Sequence, residues 1–458
     1  EVYVSDQQST ETLAKKLGAY GCEVRVIDGH NWDEIIEALS AEAGEKPVAV
    51  VAKTVKGWGV GALQSCDSHG KPLGEDQLDA AMADLDAKAE QLGVAGAEDA
   101  DAAQLTAPAP VTRPTGEEIS AGSFAEACAA AGQNKAYETK TMATRVAWGV
   151  ALRAMGADER IVATDGDVQG STYTNMFAKA YADRFLEAKI AEQNMISMAA
   201  GLAAAGRIAV ATSFGKFIAR AYDQVEMAAV SHANVKMMGS HTGVSLGADG
   251  PSQMGLCDLA FFRSFAHTKR VDGQPMIRVL APSDAVSTFK LTHLMLNLDG
   301  MCYMRTQRPG VPFLYEDDED FSLDGFKHLI DGEDICIVAS GYMVHEAKKA
   351  CQVLEEKAGL SASLVDAYAL PLATDEILRI GDDCRGQILV VEDNYAGGFA
   401  DEIAAAAATS DLGVMAESMC VEHTPKSGKT PEEILTMVNL TADDIATKAQ
   451  SMFDRSEG

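Results

Sequence analysis

The chain has 458 residues, of which 47% are hydrophobic, and it carries a formal net charge of −30. This length predicts about three domains, and the apolar content suffices for several buried cores. The negative charge argues against nucleic acid and anionic membrane as partners, since both need basic surface. No apolar run approaches the ~20 residues of a membrane span.

Nine cysteines are scattered along the chain without CxxC pairs. This usage predicts reduced thiols in a cytoplasmic protein rather than a disulfide framework. No His/Cys cluster has the spacing of a zinc site. The chain begins at Glu1, with neither an initiating Met nor an apolar signal segment. We therefore expect an N-terminus that is processed or truncated.

The first region, residues 1–92, has an α/β pattern. Strands are predicted at 23–28 and 47–54, the second as the continuous apolar run of a buried parallel strand. Helices are predicted at 31–43 and 75–92.

A change in composition follows this region. Residues 93–115 are rich in Ala, Asp and Pro, which is typical of an interdomain linker. We expect little order up to Lys140, so the predicted linker is 93–140.

Two further regions, 141–318 and 319–458, alternate strands with helices. The predicted strands are 160–164, 185–190, 208–212, 235–240, 277–281, 301–305, 334–339, 361–366, 387–392 and 414–420. The predicted helices are 144–155, 195–205, 217–230, 284–298, 344–358, 399–408 and 442–455. Such alternation predicts an α/β fold with doubly wound parallel sheets, whose ligands sit at the carboxyl ends of the strands.

One carboxylate stands at such a position. Glu192 lies between the predicted strand 185–190 and the small-residue helix that follows. An unpaired charge is costly to bury, so a group that meets this carboxylate is expected. From these residues alone, a helix-capping acid is an equally good interpretation.

Several longer motifs then show that the chain resembles transketolase, a thiamine-diphosphate enzyme. The matching segments are 52–57, 68–73, 143–145, 190–194, 239–253, 305–309, 391–393 with 397–398, and 425–429. The resemblance covers nearly all of the chain outside the linker. It implies domains of the thiamine-diphosphate-binding fold: the end of the diphosphate-binding domain at 1–92 and a pyrimidine-binding domain at 141–318. A C-terminal transketolase-type α/β domain is implied at 319–458.

The resemblance implies a cofactor site around Glu192. Its carboxyl would bond the ring nitrogen of the cofactor's aminopyrimidine and favour the imino tautomer, which removes the thiazolium C2 proton. The cofactor is then the electron sink. The carboxyl should be protonated or share a proton at neutral pH, which needs desolvation. Phe217 and Phe214 would stack on the pyrimidine, although both could equally be core aromatics. Gln253 and Asp167 resemble further cofactor contacts.

The implied substrates are sugar phosphates, which need cations. The positions that hold the substrate, chiefly its phosphate, are matched by Arg145, Ser171, His241 and Arg308. An arginine fork suits a phosphate, although a lone Arg more often makes a surface salt bridge. The local cations would offset the repulsive charge of −30 for an anionic substrate.

Three further residues take their roles from the resemblance. Asp249 resembles the carboxylate that binds a sugar hydroxyl. His69 and Lys56 resemble residues that reach the cofactor's diphosphate and the substrate. Glu192, His69 and His241 are the predicted catalytic residues.

The metal-binding part of the family pattern is missing. No Gly-Asp-Gly motif with a downstream Asn precedes Thr141, and Asp165-Gly166-Asp167 lies in a region that the family uses differently. We therefore expect the ligands of Mg²⁺ (or Ca²⁺) outside this segment. Residues 427–430 resemble the end of a P-loop but lack its first Gly, since that position is His423.

The leading hypothesis is a cytoplasmic transketolase of the pentose phosphate pathway that moves a two-carbon ketol unit between sugar phosphates. We expect a homodimer or a partner chain that carries the missing domain; the chain is either truncated or one part of a split enzyme. The alternatives are another thiamine-diphosphate enzyme, such as deoxyxylulose-phosphate synthase, and an inactive, assembly-competent subunit.

Overall fold

The computed structural model describes residues 8–64, 68–94 and 116–456. It divides the chain into two compact units, Glu1–Ala109 and Pro110–Gly458. The division falls inside the predicted linker 93–140, of which 95–115 lie outside the described residues. The predicted domain boundaries at 92, 140 and 318 stay predictions.

The first unit is a small α/β unit. Its elements are α1 (Thr10–Ala19), β1 (Glu23–Asp28), α2 (Trp32–Ser40), β2 (Val48–Lys53) and α3 (Leu78–Leu92). β1 and β2 pair in parallel, and α2 is capped by Asn31, whose side chain accepts from the N–H groups of Asp33 and Glu34. The prediction of a buried strand at 47–54 is wrong for this unit, because Val51 alone is buried within β2. A two-stranded sheet covers few of its side chains.

The second unit begins with the elements that surround its larger sheet. Its helices here are α4 (Phe124–Ala130), α5 (Asn134–Glu138), α6 (Thr144–Met155), α7 (Gln169–Thr172), α8 (Asn175–Ala180), α9 (Glu192–Ala204), α10 (Gly215–Ile218), α11 (Tyr222–Val230), α12 (Asp258–His267) and α13 (Ala285–Asn297). Its strands here are β3 (Thr141–Ala143), β4 (Ile161–Asp165), β5 (Phe185–Glu187), β6 (Ile208–Phe214), β7 (Val235–Ser240), β8 (Ile277–Leu280), β9 (Met301–Arg305) and β10 (Gly310–Pro312).

The remaining elements build a second sheet. Its strands are β11 (Lys327–Ile330), β12 (Ile335–Ala339), β13 (Ala362–Asp366), β15 (Gln387–Val391) and β16 (Met415–Met419). The short strand β14 (Ala369–Leu370) lies between β13 and β15 in the chain but belongs to the larger sheet. The helices are α14 (Met343–Ala358), α15 (Thr374–Asp383), α16 (Phe399–Thr409), α17 (Pro431–Met437) and α18 (Ala442–Ser456).

The two larger sheets of the second unit are mainly parallel, which confirms the predicted α/β class with doubly wound parallel sheets; β3 and β10 form a separate antiparallel pair. The larger sheet has the order β14-β8-β9-β7-β6-β4-β5, and the smaller one β11-β13-β12-β15-β16. β14 and β11 are the antiparallel edge strands. All residues of β4, β6, β7 and β9 are buried, as expected for a parallel sheet covered on both faces.

This topology places the carboxyl ends of four strands at one edge. β4 ends at Asp165, β6 at Phe214, β7 at Ser240 and β9 at Arg305. The strand order reverses at β4, which is flanked by β5 on one side and β6 on the other. Open parallel sheets bind ligands at such a switch point, so the loops after these strands position the candidate site.

Three predictions about local structure are wrong. The predicted strand 185–190 ends at Glu187, because Lys189 has a φ of 60°, outside the extended region. The predicted helix 217–230 is divided into α10 and α11 by the 3₁₀ turn Ala219–Ala221. The end of the predicted linker is ordered, since 116–140 contains α4 and α5, and Phe124 is 3% exposed.

Candidate active site

Glu192 is the first residue of α9 and is only 5% exposed. It lines a cavity of about 630 Å³. The other lining residues are Gly166, Asp167, Val168, Ile190, Lys216, Phe217, Arg220 and Ser252. Within residues 8–64, 68–94 and 116–456, no side chain or backbone group pairs with its carboxylate. The interpretation as a capping acid is therefore not supported.

Three aromatic rings stack beside this cavity. Phe217 lines it, and its ring centroid lies 4.8 Å from that of Phe214 in a stacked arrangement. Phe214 in turn stacks on His241 at 3.8 Å. The structure thus brings together Glu192, both phenylalanines and His241, with Phe214 between the other two rings.

His241 follows β7 in a left-handed conformation with a φ of 57°. Its side chain is 2% exposed, and Nδ1 lies 2.9 Å from Ser240 Oγ. Burial lowers the pKa of His241 to about 3, with smaller contributions from Arg145 and Arg308. The imidazole is therefore neutral at physiological pH, with one nitrogen that can donate a hydrogen bond and one that can accept.

The two predicted arginines lie near His241 and Asp249. Arg308 Nη1 donates to the Leu246 carbonyl at 2.8 Å and lies 3.3 Å from Asp249 Oδ2. Arg145 Nη1 donates to the Ser171 carbonyl at 2.8 Å, while its buried Nε has no hydrogen-bond partner among the residues that the structure describes. Burial lowers the pKa of Arg145.

The salt-bridge interpretation thus applies to Arg308, but its partner is itself a predicted site residue. Ser171 is positioned through its carbonyl, and the unsatisfied Nε of Arg145 leaves a donor for a ligand. Buried donors are rarely left without a partner, so an anionic ligand would suit this corner of the site.

The loop after β4 is organised by a residue that sequence reasoning missed. Asp165 accepts hydrogen bonds from Val168 N and Thr172 Oγ1, both at 2.7 Å. Burial raises its pKa to about 7. Asp167, with a φ of 64°, donates its N–H to Glu187 Oε1 at 2.9 Å and lines the cavity. The sequence signal for Asp165 was an acid at the end of an apolar strand, followed in the chain by two hydroxyl side chains.

Two other lining residues also escaped prediction. Lys216 and Arg220 are exposed cations on the cavity rim, and their spacing of four residues could have indicated a shared face. Gln253 is half-buried and donates its N–H to the Gly250 carbonyl at 3.1 Å. Its neighbour Ser252, rather than Gln253, lines the cavity.

Lys56 and His69 belong to the first unit, where both are exposed. Lys56 lies in the turn after β2, which includes Gly57 with a φ of 67°. A Cβ at Gly57 would lie 2.5 Å from the Leu63 carbonyl oxygen, so the turn requires glycine. Both assigned roles stay predictions. In the described ranges, no group of three or more His, Cys, Asp or Glu could hold a metal ion.

Family models of three transketolase domains match the chain. The thiamine diphosphate binding domain matches residues 4–106, the pyrimidine binding domain 140–312 and the C-terminal domain 326–445. Transketolase from Mus musculus is 35% identical over 459 residues, which cover 97% of this chain and 68% of the mouse protein. The chain belongs to the transketolase family. The resemblance drawn from the motifs is thereby confirmed, and so are the pyrimidine-binding and C-terminal folds.

Other transketolases give the same result. The Homo sapiens protein is 34% identical, with 98% of this chain and 69% of that protein covered. A structure described as a split gene transketolase, inactive beta4 tetramer, is 30% identical, with a TM-score of 0.61. The match covers 68% of this chain and 99% of that one. Transketolase from Campylobacter jejuni has the same fold, with a TM-score of 0.72 at 19% identity over 96% of this chain and 69% of that one. In the part of this transketolase-family chain that the structure describes, no helix is long and apolar enough to cross a membrane.

Proposed function

We propose that this chain transfers a two-carbon ketol unit from a ketose phosphate to an aldose phosphate, with thiamine diphosphate as the cofactor. The observation that carries the proposal is Glu192, a residue only 5% exposed whose carboxylate has no partner among the described residues. It shares a cavity of about 630 Å³ with Phe217, and the stacked rings of Phe217, Phe214 and His241 extend from that cavity.

The residues of this cavity suit the pyrimidine half of the cofactor. A buried carboxylate without a partner needs a hydrogen-bonding group, and Phe217 offers a flat apolar wall. When bound, thiamine diphosphate supplies the nucleophilic carbon and the electron sink for ketol transfer. Glu192 would hold a proton at its carboxyl oxygen, shared with the pyrimidine ring nitrogen. Asp167 and Gln253 are assigned as further cofactor contacts.

The neighbouring residues suit a sugar phosphate. Arg145 and Arg308 supply two cations, and the unsatisfied Nε of Arg145 is a donor for a phosphate oxygen. His241 would bind a sugar oxygen as a neutral imidazole. Asp249, held 3.3 Å from Arg308 Nη1, would accept a hydrogen bond from a sugar hydroxyl.

The remaining part of the catalytic unit is proposed to come from outside the second unit. Lys56 and His69 would reach the diphosphate and the substrate. Mg²⁺ (or Ca²⁺) would be held by ligands on another segment, in a homodimer or with a partner chain. The split gene relative, solved as an inactive tetramer, supports a chain of this kind that needs a partner. The proposed setting is the pentose phosphate pathway of the cytoplasm.

The direct test is ketol transfer by the complete assembled enzyme that carries Glu192→Gln, which keeps the size of the side chain but cannot share a proton in the same way. We expect kcat/KM to fall by about 100-fold or more, the usual contribution of proton transfer by a positioned group. Glu226→Gln is the matched control, because Glu226 is an exposed acid on α11. Activity of Glu192→Gln near that of the control would refute the proposed role of Glu192.

A second candidate, an assembly-competent subunit without activity of its own, is favoured by the same inactive relative. Titration calorimetry of the chain alone with thiamine diphosphate and Mg²⁺ tests this second candidate. Tight, metal-dependent binding would exclude the inactive subunit.

A further inference from the structure

The loop that carries Asp249 is closed on itself. This Asp249 loop, residues 242–256, follows His241. Gly243 donates its N–H to the Gly255 carbonyl at 2.9 Å, and Gly255 donates to the His241 carbonyl at 3.1 Å. The two ends are thereby fixed, and the position of Asp249 depends on the turn between them.

The apolar side chains of the Asp249 loop pack into the core of the C-terminal domain. They are Val244, Leu246, Met254 and Leu256, all at most 3% exposed. They share one core cluster with residues such as Ile337 of β12 and Ile434 of α17. The loop thus leaves the larger sheet but is buried against the smaller one.

A second contact fixes the turn around Asp249. The segment 427–430, here called the clamp segment, lies against two glycines of the loop. Gly428 donates its N–H to the Gly247 carbonyl at 3.3 Å. Gly250 has a φ of 77°, and a Cβ there would collide with Ser427 Oγ. The clamp segment therefore lies in direct contact with Gly250, whose left-handed backbone conformation favours glycine.

The clamp segment is itself hydrogen-bonded to α17. Thr430 caps α17, with Oγ1 accepting from Glu433 N at 3.3 Å. Lys429 N donates to Glu433 Oε2 at 2.7 Å. A Cβ at Gly428 would lie 2.6 Å from Ile434 Cδ1, so the segment also packs closely on the buried face of α17. These bonds connect the core of the C-terminal domain to the turn.

A shift of this turn would move Asp249 relative to Arg308. Arg308 binds the Leu246 carbonyl at 2.8 Å and lies 3.3 Å from Asp249 Oδ2. Asp249 follows Gly247 by two residues and immediately precedes Gly250, so both clamped glycines flank it.

We propose that the clamp segment 427–430 is a positioning element, through which the C-terminal domain sets the selectivity of this site for hydroxyl-bearing aldose phosphates by holding Asp249 in place. The inference rests on the proposed ketol transfer and on the role of Asp249 in it. It assigns a part in specificity to a domain that contains none of the predicted site residues.

Hydrogen–deuterium exchange of the full chain tests the restraint without any need for activity. Gly428→Pro removes the N–H that binds Gly247, whereas Gly428→Ala keeps it and adds the same Cβ. We expect amides of 245–253 to exchange at least about tenfold faster in the proline variant than in the alanine variant. Amides of β4 and β6 should be unchanged. Equal exchange of 245–253 in the two variants would overturn the proposal.

A bulkier side chain provides the second variant should Gly428→Pro fail to fold. Ser427→Leu presses on Gly250, while Lys426→Leu adds the same side chain at an exposed neighbour. Faster exchange of 245–253 in Ser427→Leu alone supports the restraint. The same exchange in both leucine variants contradicts it.

Substrate discrimination tests the consequence. The readout is the ratio of kcat/KM for ribose 5-phosphate to that for 2-deoxyribose 5-phosphate as acceptors. Ser427→Leu should lower this ratio about tenfold towards that of Asp249→Ala, with kcat/KM for the deoxy acceptor unchanged. In the Asp249→Ala background, Ser427→Leu should have no further effect.

The failures of the two proposals are distinguishable. If the wild type transfers no ketol unit, the proposed function fails, while the exchange experiment still decides on the restraint. If Asp249→Ala leaves the ratio unchanged, the role of Asp249 is wrong and the specificity inference falls with it. If Asp249→Ala lowers the ratio and Ser427→Leu does not, the inference alone is wrong.

Discussion

His241 shows how burial fixes the charge state of a candidate site residue. Its imidazole lies under Phe214 with two arginines nearby. Both desolvation and neighbouring cations disfavour the imidazolium form, and they hold the pKa at about 3. A histidine in a loop is ordinarily a switch near neutral pH, but this one is not.

We therefore expect the contribution of His241 to sugar-phosphate binding to be independent of pH between about 5 and 8. His241→Asn keeps a donor and an acceptor, and it should lower kcat/KM by roughly tenfold, equivalent to one hydrogen bond of about 1.4 kcal/mol. The ratio of wild-type to variant kcat/KM should stay constant across this range. A step in that ratio near pH 6.5 would show that the imidazole takes up a proton and that its environment is more polar than described.

At the scale of elements, regular alternation was predictable and irregular segments were not. The strands β1, β7 and β9 begin and end at the predicted residues, because short strand-like segments between turn signals have few alternatives. The helices α12 and α15 were missed because their ends carry no strong capping signal. For α17 the signal existed, with Thr430 as N-cap and Pro431 at the first helical position.

The linker prediction failed at 116–140 for a similar reason. Its Ala- and Gly-rich composition obscured the pattern Ser123-x-x-Glu126, a signature of a helix N-terminus. Ser123 Oγ accepts from Glu126 N at 3.2 Å. The site residues were predicted from a family pattern, which does not depend on local composition, and their roles stay predictions. The contacts of the C-terminal domain with the Asp249 loop, by contrast, depend on distant residues that no local pattern connects.

Phe124 should make α4 a structural part of the second unit. Its ring lies 4.9 Å from Phe289 and 5.7 Å from Tyr137, centroid to centroid. Phe124→Ala should lower the free energy of unfolding by about 3–5 kcal/mol, because it leaves a cavity in the core. Urea unfolding measures the difference. Glu126→Ala, at an exposed position of the same helix, should change stability by less than about 0.5 kcal/mol. Equal effects of the two substitutions would mean that α4 does not pack as described.

At the scale of the whole second unit, the two larger sheets are joined by a strand that crosses from one to the other and by buried polar groups. β14 follows a strand of the smaller sheet but pairs with β8 of the larger one. Asp366, at the end of β13, is fully buried and accepts hydrogen bonds from Ser283 Oγ and Tyr315 Oη. Breaking either sheet therefore exposes groups that belong to the other, and we expect the unit to unfold cooperatively.

The same junction predicts how stability depends on pH. Burial, with a further contribution from Asp284, raises the pKa of Asp366 to about 7, against about 3.9 in an unfolded chain. Between these values the native state holds a proton that the unfolded state has lost. The contribution of Asp366 to stability is therefore complete below about pH 4 and is lost as the pH rises through about 7.

Asp366→Asn isolates this contribution. The amide oxygen can still accept from Ser283 and Tyr315, but it cannot ionise. Relative to the wild type, the variant should gain stability as the pH rises from 4 to 7, by at most about 1.4 kcal/mol per pH unit, and the difference should level off above that. The comparison cancels the opposite trend from His241 and His345, whose pKa values burial lowers to about 3 and about 4. Chemical unfolding at a series of pH values provides the measurement. A stability difference that stays flat from pH 4 to 7 would mean that Asp366 ionises as it does in water, so the junction between the two sheets would have to admit solvent.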